Sequence, residues 1–326
     1  MTKLLKTTDI SIGAKIIKDG GLVAFPTETV YGLGANATCK DAVEKIFAAK
    51  NRPKSNPLIV HFYSIKHLLE YIPTLNRLEL RLLKKLKHAL TLVVPKPENC
   101  KIVDFCLAGQ NTVAVRIPSC KLARKFIQAC SVPLAAPSAN TSTRPSSSRM
   151  TDVLDDLDQR IDAIFMGKQT KIGVESTVVQ VQQTQINILR LGGVTAERIQ
   201  KISGLPVRTI FNSEQSPGSK HKHYTPSVPL FVLSRHEILQ RHGGNDVVLT
   251  MTKNKKYYPD CHVIVLGNSA RRVQQNLFPA MREAEKFLFK QANQNTVSAI
   301  LVENMPDTSD FTTIRERLQR ASTVKN

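Results

Sequence analysis

The sequence predicts an α/β protein in two parts: a curved mixed sheet with flanking helices, then a smaller α/β domain with a mainly parallel sheet. Three observations lead there. Short apolar strands and amphipathic helices mix through residues 1–210 without a strict strand–helix–strand beat. The composition then breaks, because the stretch NSEQSPGSKHKHYTP at 212–226 carries no apolar period. Beyond it a more regular order returns, strand–helix–strand–strand–helix–strand–helix. The expected boundaries are 1–210 for the first domain, 211–229 for a linker or lid, and 230–326 for the second domain.

Each element has its own warrant. Residues 9–18 place Ile10, Ala14, Ile16 and Ile17 at helical spacing, and Gly20-Gly21 stops the helix. LVAF at 22–25 is a short buried strand. Thr38-Cys-Lys-Asp41 reads as a capping box that opens a helix running to Lys50. A strand at 58–62 precedes a long basic amphipathic helix at 75–86. Strands follow at 90–94 and 112–117, a helix at 122–130 and a strand at 134–136. Strands at 161–166, 176–181 and 186–190 come next, the last two a candidate hairpin, and a helix at 195–202 closes the first part. In the second part strands are expected at 230–233, 247–251, 263–266 and 297–302, with helices at 236–242, 270–291 and 310–321.

Composition narrows the function classes. The 326 residues are 41% hydrophobic, which supplies real cores and argues against disorder. Lys and Arg number 46 against 26 Asp and Glu, a formal charge of +20. A polyanionic partner, nucleotide or RNA or both, fits that charge. A generally basic soluble surface is the plain alternative, and Lys84, Lys85 and Lys87 on a helix face need no ligand to explain them. The six cysteines form no CxxC pair and read as reduced thiols of a cytosolic protein. The N-terminus has no apolar signal core, and no apolar run approaches the ~18 residues of a membrane span. The expected location is the cytoplasm, without membrane contact.

Several short patterns carry chemistry. Gly32-Leu-Gly34-Ala-Asn-Ala37 fits GxGxxA, but no acid follows at the ribose-binding distance, so a dinucleotide site is rejected. The glycines are read instead as a tight turn near a ligand. No GxxxxGK[ST] occurs, which excludes a P-loop enzyme. Lys50 and Arg52 follow a helix end, and Pro53 pushes Arg52 toward extended backbone, so both cations can face one phosphate chain. A solvated pair favoured by the helix dipole is the simpler alternative. In the strand TVAVRI, alternation sets Val113, Val115 and Ile117 on one face and Thr112, Ala114 and Arg116 on the other. Arg116 could there hold a carboxylate, or lie on a solvated edge. His61 ends an apolar strand, where it could read a hydroxyl. Ser138 and Asn140 follow another strand, where they could bind adenine or phosphate or simply make a turn. His221 and His223 are weak evidence for a metal. No arrangement for a covalent nucleophile appears, so positioning and charge stabilisation would carry the chemistry.

Taken together these blocks resemble the YrdC family. PTETVYGLG, NPLIVH, TVAVR, APSAN, RPS and GVEST occur in order, with Lys50 and Arg52 as KxR and Ser138 and Asn140 as SxN. The similarity spans about residues 10–205 and the linker at 217–226. The resemblance implies a YrdC-like first domain and an activity that condenses L-threonine, bicarbonate and ATP into threonylcarbamoyl-AMP and pyrophosphate. That product feeds threonylcarbamoyladenosine at position 37 of ANN-decoding tRNAs. By the same resemblance Thr29, His61, Arg116 and Ser176 would hold threonine, with Lys50 and Arg52 as the catalytic pair. ATP would be held by Lys50, Arg52, Asn56, Thr112, Ser138, Asn140, Ser146, Arg190 and Tyr224, the last closing over the site. Mg2+ would ride on the ATP phosphates, with no protein metal site and no organic cofactor. Downstream partners would be the threonylcarbamoyl transferase machinery, and a weak tRNA contact stays open. Two departures from the family pattern concern His88-Ala89 before the Leu90 strand and Leu191 between Arg190 and Gly192. A non-catalytic RNA-binding module of the same fold is the alternative, and an ATP-dependent carbamoyl transferase is a third reading.

Overall fold

The computed structural model describes residues 1–86, 89–210, 223–241, 245–291 and 298–323. The expected linker or lid therefore falls largely outside the described residues, as do Lys87, His88 and His221. Two compact units divide the chain: Met1–Ser142 with Ser147–His221, and Thr143–Ser146 with Lys222–Asn326.

The first unit runs β1 (Lys3–Leu5), α1 (Ile10–Lys18), β2 (Val23–Pro26), β3 (Tyr31–Asn36), α2 (Lys40–Lys50), β4 (Ile59–His61), α3 (Ile65–Leu69), α4 (Arg77–Lys85) and β5 (Leu90–Pro95). It continues with α5 (Asp104–Leu107), β6 (Thr112–Arg116), α6 (Lys121–Cys130), β7 (Leu134–Ala135), α7 (Met150–Leu157) and β8 (Ala163–Phe165). The hairpin β9 (Thr177–Val181) and β10 (Ile186–Arg190), α8 (Ala196–Ser203) and β11 (Val207–Thr209) complete it. The strands form one mixed sheet of eleven, in the order β1-β8-β2-β3-β7-β4-β6-β5-β9-β10-β11.

The sheet sorts its side chains by the period of two that strand geometry dictates. Val60, Leu92, Val94, Val113, Val115 and Val179 enter the main core. On the opposite face Phe25, Ala163 and Phe165 pack with Ala14 and Ile17 of α1 and Phe126 and Ile127 of α6. Ile59, Val93, Ala114, Val178 and Leu189 form a small apolar floor of their own. Residues two positions from that floor share its face, which puts His61, Thr91, Thr112, Arg116 and Ser176 together on it. Arg116 is not on an edge, since β6 lies between β4 and β5.

Three local expectations are corrected. The glycines of 32–37 do not make a turn: Tyr31–Asn36 is a strand, paired antiparallel with β2 and β7. A Cβ on Gly34 would meet the Phe25 ring at 2.9 Å, so the missing side chain makes room for a core aromatic. The capping box at Thr38 is absent: Cys39 is the N-cap of α2, and the Thr38 hydroxyl instead donates to Asn36 Oδ1 at 2.8 Å. The helix at 75–86 is shorter, because Asn76 and Glu79 form a capping box that starts it at Arg77.

The second unit contains β12 (Leu230–Leu233), α9 (Arg235–Arg241), β13 (Val247–Met251), β14 (His262–Gly267), α10 (Ala270–Gln291), β15 (Ile300–Glu303) and α11 (Thr312–Ala321). Its four strands are all parallel, in the order β12-β15-β13-β14. It also includes Thr143–Ser146, which lies inside the stretch expected as the first domain. Arg144 explains this, since its guanidinium binds both carboxylate oxygens of Glu285 in α10, at 2.6 and 2.7 Å. All six cysteines are free thiols.

Candidate functional site

The cation end of the site is built by the close of α2. Asn51 adopts the left-handed conformation, φ 51° and ψ 46°, and caps the helix through its N–H to Ala48 O. That reversal sets Lys50 and Arg52 on either side of the cap. Lys50 is 1% exposed, and its Nζ donates to the carbonyls of Ser138, at 2.5 Å, and of Asn140. The SxN segment is thus tied to KxR through its backbone. Arg52 donates to Pro57 O at 2.7 Å and Asn56 O at 3.2 Å.

Arg190 ends β10 and reaches back to Ser176 O, 2.9 Å from its Nη2. Gly192 makes this approach feasible, since a Cβ there would lie 2.4 Å from the Ser176 and Thr177 backbone. The family departure at Leu191 leaves that glycine in place. Burial and the nearby Arg190 charge push the Arg52 guanidinium down to about 9, which still leaves it charged at neutral pH.

The second end of the site is polar and close-knit. Arg116 Nη2 donates to Glu28 Oε1 at 2.6 Å and to Thr29 Oγ1 at 2.8 Å. His61 pairs with Arg116 in the β4–β6 register and is 2% exposed. Its Nδ1–H donates to Ile59 O at 3.1 Å, which makes Nε2 the acceptor nitrogen of a neutral ring. Burial, reinforced by the Arg116 charge, holds the imidazole down at about 3. Ser176 and Thr91 share a hydrogen bond of 2.7 Å.

That depressed imidazole makes a prediction. The unfolded chain protonates His61 near its ordinary value of 6.5, whereas the folded chain resists until about 3. Stability is therefore lost as pH falls from about 6.5 toward 3. His61→Gln should remove about 2 kcal/mol of the stability difference between pH 7 and pH 5, read from denaturant midpoints at each pH. The same pH dependence in both proteins would contradict a buried neutral His61.

The first unit thus carries Thr29, Lys50, Arg52, Asn56, His61, Thr112, Arg116, Ser138, Asn140, Ser176 and Arg190. Thr112 opens β6 and is partly exposed, with its hydroxyl on Gln110 Oε1 at 3.3 Å. Ser146 and Tyr224 belong to the second unit. There the Tyr224 ring stacks on Phe278, with centroids 5.1 Å apart, and the Arg317 guanidinium lies 4.8 Å from its centroid. Sequence reasoning missed Glu28 and Thr91. Alternation along LTLVV places Thr91 on the site face, whereas Glu28 sits in a turn and gives no periodic signal. No helix among the described residues is long and apolar enough to cross a membrane.

Known proteins resemble this chain along nearly its whole length. Residues 15–192 match the Sua5/YciO/YrdC family model, described as telomere recombination. Residues 194–323 match the model of the threonylcarbamoyl-AMP synthase C-terminal domain. The threonylcarbamoyl-AMP synthase of Bacillus subtilis is 38% identical, over 99% of this chain and 96% of that protein. The Pyrococcus abyssi protein of the same name is 35% identical, over 96% of this chain and 94% of its own length. The crystal structure of P. abyssi Sua5 complexed with L-threonine superposes with a TM-score of 0.85 at 34% identity, covering 99% of this chain and 97% of that one. With both parts matched and relatives aligned along nearly the whole chain, the protein belongs to the Sua5/YciO/YrdC family and is one of its two-domain enzymes.

Proposed function

We propose that this enzyme condenses L-threonine, bicarbonate and ATP into threonylcarbamoyl-AMP and pyrophosphate. The product would serve threonylcarbamoyladenosine formation at position 37 of ANN-decoding tRNAs. The observation that carries the reading is buried Lys50, tied to the Ser138 and Asn140 carbonyls, with Arg52 just past the same helix cap and feeling the charge of Arg190. Like charges held together are stabilised by an anion of several charges, and a triphosphate is such an anion. The names of the full-length relatives support the same reaction.

In this reading the threonine amine becomes a carbamate, with bicarbonate losing the elements of water as the N–C bond forms. A carbamate oxygen then attacks the α-phosphorus. The bond from that phosphorus to the bridging oxygen breaks, and its electron pair leaves with pyrophosphate. Lys50, Arg52 and Arg190 neutralise the phosphates, with Asn56, Thr112, Ser138 and Asn140 assigned to the rest of the nucleotide. Arg116, Thr29, Ser176 and neutral His61 hold threonine. Orientation of three reactants supplies much of the acceleration. The groups assigned to the phosphates are cations, so among the described residues they offer Mg2+ no carboxylate there. The ion then arrives with ATP as part of the substrate, and the reading calls for no organic cofactor.

Pyrophosphate release from ATP should require both threonine and bicarbonate. Equal release with threonine omitted would overturn the synthase reading. Tight, salt-sensitive RNA binding without ATP turnover would favour the RNA-binding alternative.

A further inference from the structure

We infer that Glu28 is a positioning residue that divides the Arg116 guanidinium, committing Nη2 to the protein and leaving the Nε and Nη1 donors for the substrate carboxylate. The inference rests on the synthase reading and names a residue that reading does not use. Glu28 is 6% exposed and sits in the turn between β2 and β3. Its Oε1 accepts from Arg116 Nη2 at 2.6 Å, while its Oε2 accepts the backbone N–H of Ser119 at 2.9 Å and of Cys120 at 3.2 Å. Cys120 is the N-cap of α6, so the carboxylate is fixed against a helix N-terminus, where negative charge is favoured. The turn is itself fastened, since Ile172 N–H donates to Glu28 O at 2.9 Å and Gly173 N–H to Thr29 O at 3.0 Å.

Both hydrogens of Arg116 Nη2 are thereby accounted for, one on Glu28 and one on Thr29. Arg116 Nε is buried and has no protein partner. A buried N–H without an acceptor is costly, and a bound carboxylate oxygen removes that cost. The two-pronged contact usual between arginine and carboxylate is not open to the substrate while Glu28 and Thr29 hold Nη2. Threonine is then read by the Arg116 donors that remain, on Nε and Nη1, and Glu28 fixes their direction.

A purely structural ion pair would behave otherwise. Glu28→Gln should raise the KM for threonine by about tenfold or more and leave the KM for ATP within about twofold. Glu28→Asp keeps the charge but is one carbon too short to span from Arg116 to α6, and should show the same selective loss. Binding of L-threonine and of L-threoninol, which lacks the carboxylate, gives a second readout by calorimetry. The preference for threonine over threoninol should narrow by about tenfold in either variant. Equal losses for ATP and threonine, or an unchanged preference over threoninol, would overturn the inference. A wild-type enzyme that releases no pyrophosphate with threonine and bicarbonate would instead overturn the synthase reading.

Discussion

Lys50→Ala is expected to lower pyrophosphate release by about a hundredfold or more, which is the usual scale for removing one preorganised group from a charge-stabilising site. Two effects combine. The side chain is 1% exposed, so its ammonium acts in a space where water screens little. Its Nζ also joins the carbonyls of Ser138 and Asn140, so the substitution loosens the segment that presents both side chains. The loss should fall on ATP rather than on threonine, because Lys50 holds the Ser138 and Asn140 carbonyls whereas Arg116 is held by Glu28 and Thr29. Ser138→Ala added to Lys50→Ala should cost less than the two separate losses combined, since both act through one segment. Initial rates at varied ATP and threonine test this. Pyrophosphate release within about threefold of wild type would remove Lys50 from the phosphate group.

Much of the fold could be read in the sequence where a pattern repeats at a fixed period. TVAVRI alternates, and the structure follows it: Val113, Val115 and Ile117 join the main core while Ala114 joins the small floor. The second unit read well for the same reason, with four apolar strands and a long amphipathic helix in order. Periodicity failed where the side chain was missing or the partner was distant. Tyr31–Asn36 shows two glycines and so lacks the strand signal, although Gly34 is there to clear the Phe25 ring. The placement of Thr143–Ser146 depends on Arg144 meeting Glu285, 141 residues away, and no local pattern announces that.

The candidate site shows its cations in the sequence and hides what holds them. Lys50 and Arg52 stand out as charges next to a proline, and Arg116 as a charge in an apolar strand. Glu28 gives no such contrast, because an acid between two threonines in a turn is ordinary on a surface. Only burial and three short hydrogen bonds make it distinctive.

Arg116→Ala should weaken threonine use by roughly 30-fold or more, taking about 2–5 kcal/mol for a truncated buried charge pair and about 1.4 kcal/mol per decade. The strand holds the residue firmly: Val113 and Val115 are fully buried on the far face, and β6 is paired on both sides. ATP affinity should change much less, since the cations assigned to phosphate lie at the end of α2, just past its cap, and on β10. The substitution also strips Glu28 of its cation, and a buried charge left without its partner costs about 3–5 kcal/mol of stability. Folding and substrate effects must therefore be separated. Arg116→Ala combined with Glu28→Gln removes the abandoned charge, so the double variant should recover stability yet still fail to use threonine. Arg116→Lys should rescue only in part, because an ammonium cannot engage Glu28, Thr29 and a substrate oxygen from the fixed directions of a guanidinium. Thermal midpoints and the two KM values decide the matter. If the double variant regains threonine use along with stability, or if Arg116→Ala loses ATP affinity and keeps threonine affinity, Arg116 does not bind the substrate carboxylate.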